Sequence, residues 1–75
     1  MSEATYKAKR KDLVDVIKER RKSLRVTQEQ LAGLSGVGLR TIKQLETGNG
    51  NPTLNTIKRI LDVLGLTLYV GVKEN

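Results

Sequence analysis

TQEQLAGLSGVGLRTIKQLETG, residues 27–48, decides how this chain folds. Thr27 is a good N-cap, and Gln30 at the third helical position completes a capping-box pattern. A short helix is therefore expected over about Gln28 to Leu34. Ser35-Gly36-Val37-Gly38 breaks it, and a further helix follows from about Leu39 to Thr47, closed by Gly48 as its C′ residue. Two helices crossing steeply over so short a turn need particular residue types. Ala32 must be small, because the next helix crosses close over it. Gly36 sits where the backbone needs a positive φ to turn. Leu31, Val37, Ile42 and Leu45 point inward and form the wedge that fixes the crossing angle. All six positions are occupied as a helix-turn-helix demands.

Working outward toward the N-terminus, residues 1–10 lack apolar periodicity and carry Lys7, Lys9 and Arg10. They read as a flexible basic arm. From Lys11 the spacing becomes helical: Leu13, Ile17, Arg20 and Leu24 share one face, and the helix should end near Ser23 or Leu24. Lys18, Arg21, Lys22 and Arg25 form a basic stripe beside that face. Toward the C-terminus, Asn49-Gly50-Asn51-Pro52 is a polar, turn-rich loop. Thr53 caps a last helix whose Leu54, Ile57, Ile60, Leu61 and Leu64 make one wide apolar stripe, and Gly65 ends it. Then the period changes. Leu66, Leu68, Val70 and Val72 alternate with Thr67, Tyr69 and Gly71, a β signature. A lone strand leaves its backbone groups unpaired, so the expected partner is the same strand of a second copy, antiparallel across a two-fold axis.

Composition bounds what this architecture can do. The 75 residues make one small domain, which buries only ~60% of the surface its unfolded chain exposes. With no Cys and no His, a disulfide framework and a Cys/His zinc site are both excluded. Idealised helix packing, oligomerisation or both must supply the stability. Fourteen Lys/Arg against eight Asp/Glu give a net charge of +6, which attracts polyanions, chiefly nucleic acid. The two aromatics, Tyr6 and Tyr69, are too few for a platform that stacks single-stranded bases. No apolar run is long enough to span a bilayer and no hydrophobic signal region opens the chain, so the expected location is the cytoplasm. Gly36-Val37-Gly38 lacks the third glycine and the preceding strand of a dinucleotide-binding loop. Without histidine there is no Ser/His/Asp arrangement, and no carboxylate cluster suggests a metal. No enzymatic activity and no cofactor are expected.

The stretch TQEQLAGLSGVGLRTIKQLETGNGNPTLNTIKRILDVLG resembles the helix-turn-helix domain of the phage-repressor (XRE/Cro) superfamily, over about residues 11–66. Within it, GVGLRTIKQLETG followed by PTLNTIKRILDVLGLTLYV is similar to antitoxins of the HipB type. The resemblance implies an all-α, four- to five-helix domain over residues 11–65. A C-terminal strand and tail over residues 66–75 would pair across a homodimer through Leu66, Leu68, Tyr69, Val70 and Val72. It implies a repressor that binds an inverted repeat in double-stranded DNA, and a HipA-like serine/threonine kinase toxin as a partner. Three positions depart from the pattern. Gly33 replaces a polar helix former, Leu34 is apolar where a charge is common, and Gly38 stands where Ser or Thr caps the recognition helix.

On that reading Arg40, in the first turn of the recognition helix, is placed to meet guanine O6 and N7. Gln44, one turn on, can pair with adenine, and Leu39 can pack on a thymine methyl or equally support a dimer or toxin contact. Thr41 and Lys43 fit phosphate contacts, as do Gly38 at the helix start and Thr47, Asn49 and Asn51 beyond its end. Gln28 resembles the family glutamine that clamps a phosphate. Arg21 and Glu46 are expected, from the resemblance, to form an ion pair tying the first helix to the recognition helix. Two rival readings remain: a stand-alone phage-type repressor or restriction–modification controller with no toxin, and a basic protein-interaction module that never reads DNA.

Overall fold

The computed structural model describes residues 10–72, and side chains from Leu13 onward. Among these residues the chain forms four helices: α1 (Arg10–Ser23), α2 (Gln28–Ser35), α3 (Leu39–Glu46) and α4 (Leu54–Leu64). The proposed basic arm lies outside the described residues except for Arg10, which is already helical.

Two of the helix starts are set by a side chain placed as the sequence suggests. Thr27 Oγ1 accepts from Gln30 N at 2.9 Å while Thr27 N donates to Gln30 Oε1 at 2.8 Å, a complete capping box. Thr53 Oγ1 accepts from Thr56 N at 3.2 Å and starts α4 in the same way. At the start of α3, Gly38 supplies no side-chain cap.

The ends are left-handed turns. Gly36 (φ 73°), Gly48 (φ 81°) and Gly65 (φ 69°) follow α2, α3 and α4. Gly48 N donates to Leu45 O at 3.0 Å and Asn49 N to Gln44 O at 2.9 Å, the paired bonds of a Schellman cap. The end of α1 has the same geometry with a different residue: Arg25, at φ 59°, occupies the left-handed position. Arg25 N donates to Lys22 O at 3.0 Å and Val26 N to Arg21 O at 3.1 Å. A side chain there costs roughly 1 kcal/mol in steric strain.

The core is made by Val14 and Ile17 of α1, Leu31 of α2, Val37 of the turn, Ile42 and Leu45 of α3, and Ile60, Leu61 and Leu64 of α4. Ile17, Leu31, Ile42 and Ile60 expose no surface at all, so each contributes about 1.5–3 kcal/mol of burial. The four wedge residues expected of the motif are therefore all in this core. Ser35 holds the turn from inside: its Oγ donates to Leu31 O at 2.6 Å and accepts from Val37 N at 3.2 Å. It closes α2 instead of breaking it.

Two expectations need correction. Leu24 is not on the buried face; α1 has ended one residue earlier and Leu24 is exposed. Leu54, expected in the apolar stripe of α4, lies on the first turn and is exposed, while Ile60, Leu61 and Leu64 carry the burial. Within the chain the expected strand is not formed. Residues 66–72 have no regular secondary structure, and no described segment pairs with them. Leu66 packs against the core, whereas Tyr69, Val70 and Val72 are 87%, 91% and 95% exposed.

Candidate nucleic-acid interface

Helix α3 has two faces. Ile42 and Leu45 are buried, and Arg40, Lys43 and Gln44 are exposed on the other side. Positions three and four apart on a helix are neighbours, so these three form one polar, cationic ridge. Leu39 and Thr41 are half-buried on its flanks. The ridge continues into the loop after α3. Thr47 Oγ1 donates to Gln44 O at 2.9 Å and accepts from Asn49 Nδ2 at 3.2 Å. Between α3 and the start of α4 lies a cleft of about 250 Å³, lined by Thr41, Gln44, Asn49, Asn51, Thr53 and Thr56 among others. The structure thus brings Thr41, Gln44, Asn49 and Asn51 together around this cleft, with Thr47 bonded to two of them.

Gln28 stands apart from that ridge. Its Nε2 donates to Glu46 Oε1 at 3.0 Å, so the side-chain amide is already engaged within the fold. Gly38 is exposed at the uncapped first turn of α3.

The ridge is held in place by Glu46, the last residue of α3. Arg21 grips it with both arms, Nε to Oε2 at 2.7 Å and Nη2 to Oε1 at 2.9 Å. The side chains are only 11% and 4% exposed, which removes this pair from the class of weak surface ion pairs. Burial, the largest single influence, pushes the Glu46 carboxyl pKa up. The hydrogen bonds from Arg21 and Gln28, with the charges of Arg21 and Lys18, outweigh it and hold the carboxyl below the usual carboxylate range. The hydrogen bond to Glu46 raises the Arg21 pKa in turn, against a smaller opposing effect of burial.

Basic residues of α1 also hold helix ends. Lys18 Nζ donates to Glu46 O at 3.3 Å, at the C-terminus of α3. Arg20 Nε donates to Leu64 O at 2.9 Å, at the C-terminus of α4. Arg21 Nη1 donates to Val26 O at 2.8 Å and pins the α1–α2 connection. Carbonyls left over at helix ends are natural acceptors for such cations. Spacing along α1 could not have revealed the roles of Lys18 and Arg20, because the carbonyls they meet come from distant parts of the chain.

Two short helices joined by a tight turn, a wedge of buried aliphatics and an exposed cationic second helix describe a DNA-reading motif. The helix-turn-helix family profile matches residues 17–70, from the middle of α1 into the C-terminal segment. The chain belongs to the helix-turn-helix family. Double-stranded DNA is the ligand that this family membership implies.

This helix-turn-helix chain is 33% identical over 59 residues to an uncharacterized HTH-type transcriptional regulator of Sinorhizobium fredii, covering 79% of the chain and 78% of the relative. It is 46% identical over 50 residues to an uncharacterized HTH-type transcriptional regulator of Methanothermobacter thermautotrophicus, covering 67% and 72%. It is 38% identical over 56 residues to the cryptic phage CTXphi transcriptional repressor RstR of Vibrio cholerae, covering 69% of the chain and 50% of the relative. Among the described residues no helix is long and apolar enough to cross a membrane, and no group of three or more metal-ligating residues could hold an ion.

Proposed function

We infer that the protein is a sequence-specific transcriptional repressor that acts as a homodimer on an inverted repeat in double-stranded DNA. The observation that carries this reading is the exposed ridge Arg40–Lys43–Gln44 on a helix whose other face is locked into the core. Arg40 and Gln44 read base edges; Lys43, Thr41, Thr47, Asn49, Asn51 and the N-termini of α2 and α3, at Gln28 and Gly38, meet the backbone. Leu39 lies against a thymine methyl. The protein acts in the cytoplasm, without enzymatic activity or cofactor.

Dimerisation is supported by the C-terminal segment. Tyr69, Val70 and Val72 are almost fully exposed, next to a Leu66 that is anchored in the core. Pairing this segment antiparallel with its copy satisfies the backbone and covers those side chains. Two recognition helices then lie about one DNA turn apart, ~34 Å.

The physiological setting follows from the similarity of the recognition helix and C-terminal segment to HipB-type antitoxins. In that setting the protein represses its own operon and binds a HipA-like serine/threonine kinase toxin. A second reading, a stand-alone phage-type repressor, is favoured by the similarity to the repressor RstR. Fluorescence anisotropy on the chain's own upstream DNA, with sedimentation to count protomers, tests the shared core of both. Dimers that bind this DNA above a scrambled duplex, with affinity falling steeply with salt, are expected. Salt-independent binding, or binding by monomers only, would contradict it. Affinity capture from the native host then separates the two settings, through a stoichiometric kinase or its absence.

A further inference from the structure

Asparagine has a chemistry that DNA binding does not use, and one asparagine of this chain is placed to show it. Its side-chain carbonyl carbon is open to attack by the backbone nitrogen of the next residue, and glycine crowds that nitrogen least. Asn49 is followed by Gly50. The other described asparagines are hindered. Asn51 precedes Pro52, whose nitrogen carries no hydrogen, and Asn55 precedes the branched Thr56 inside the first turn of α4. The fold keeps the reactive pair. Gly50 has φ 79°, a left-handed conformation, and a Cβ there would also meet Gln44 at 3.5 Å. Residues 47–51 are all exposed, so water reaches the loop and little packing opposes its opening.

We propose that Asn49 is a site of spontaneous deamidation, and that its conversion to an acid releases the protein from DNA. The second half rests on the DNA-binding reading above. Gly50 N attacks Asn49 Cγ, and the new N–Cγ bond closes a cyclic imide. The Cγ–Nδ2 bond breaks, and Nδ2 leaves as ammonia with the proton that Gly50 N gives up. Water then opens the ring. Attack at Cγ leaves aspartate; attack at the Asn49 main-chain carbonyl carbon leaves isoaspartate, with the chain running through Cγ. Nothing is oxidised or reduced. Either product carries a negative charge just beyond the C-terminus of α3, where the helix dipole disfavours an anion. Neither can donate to Thr47 Oγ1, so the 3.2 Å bond from Asn49 Nδ2 is lost. Isoaspartate also lengthens the backbone next to Asn49 N, which donates to Gln44 O at 2.9 Å. The damage falls on the cleft shared by Thr41, Gln44 and Asn51, and the added charge repels phosphate.

The full wild-type chain, incubated at mildly alkaline pH and sampled over days, tests both halves. Peptide mapping by mass spectrometry, with detection of isoaspartate, follows residue 49; salt titrations on a mixed-sequence duplex follow binding. Acid should accumulate at residue 49 ahead of Asn51 and Asn55, and affinity should fall in step, by several-fold at full conversion. Asn49→Gln, whose longer side chain closes a ring far more slowly, should keep its own starting affinity over the same period. Asn49→Asp, without incubation, should bind several-fold more weakly than fresh wild type, by a margin that narrows as salt rises. No acid at residue 49, or earlier conversion elsewhere, would overturn the proposal. So would wild-type affinity in fully converted protein or in Asn49→Asp, or an equal loss on incubation in Asn49→Gln. Fresh wild-type protein with no salt-dependent DNA binding would be a different failure, that of the DNA reading. It would take the loss of binding with it, while the conversion is read by mass alone.

Discussion

Glu46 receives hydrogen bonds from Arg21 of α1 and Gln28 of α2, while its own carbonyl accepts Lys18. One carboxylate therefore ties three helices, and it does so at the C-terminal end of the helix proposed to read DNA. Removing it would leave Arg21 buried without its partner, a loss of about 3–5 kcal/mol. Glu46→Ala should lower the melting temperature by more than 10 °C, at ~4–8 °C per kcal/mol for a domain this small. Glu19→Ala, on the exposed side of α1, should barely move it. Equal shifts would contradict the account of the pair. The same carboxylate sets a pH dependence. Its folded pKa is depressed below the ordinary value of 4.5, so its contribution is fully present above that value and is lost as pH falls through the folded pKa. Urea midpoints measured between pH 7 and pH 3 should drop in acid, and Glu46→Gln should flatten that drop. A wild-type acid limb persisting unchanged in Glu46→Gln would assign it to other groups.

At the scale of elements, the helices are defined more by their ends than by their middles. Thr27 and Thr53 start two of them, and left-handed residues stop all four. Two glycines of one short stretch have opposite consequences. Gly33 lies inside α2, with nothing within 4 Å of the place a Cβ would occupy. Gly33→Ala should therefore raise stability by roughly 1 kcal/mol through helix propensity alone. Gly36 has φ 73° and a Cβ there would come within 2.7 Å of Arg59 Nη2. Gly36→Ala should lower the melting temperature, by strain and by displacing Arg59. Circular dichroism melts of the two variants check both signs. A drop for Gly33→Ala would mean that α2 needs its flexibility for packing we have not identified.

For the whole molecule, the four helices and the wedge between α2 and α3 were legible in the sequence because local signals and tertiary demands agree there. Capping threonines, helix-ending glycines and aliphatic spacing all specify the same elements. The exposed ridge of α3 was legible for the same reason. Other features were not. Leu24 and Leu54 look apolar and periodic, but a helix end removes a residue from the face that its spacing suggests. Lys18 and Arg20 hold carbonyls far along the chain, which no local pattern encodes. Ser35 reads as a helix breaker, yet its hydroxyl returns to Leu31 O and stays inside the helix. The alternation in residues 66–72 finds no partner strand among the described residues, and periodicity alone does not supply one. What unites the fold and the proposed function is the ridge Arg40–Lys43–Gln44, and selection of binding sites from a random duplex pool tests it most directly. Wild-type protein should enrich an inverted repeat, and Arg40→Ala should lose preference at one symmetric base pair in each half-site while still binding DNA. Enrichment of no sequence by wild type, or an identical selected site with Arg40→Ala, would contradict the account.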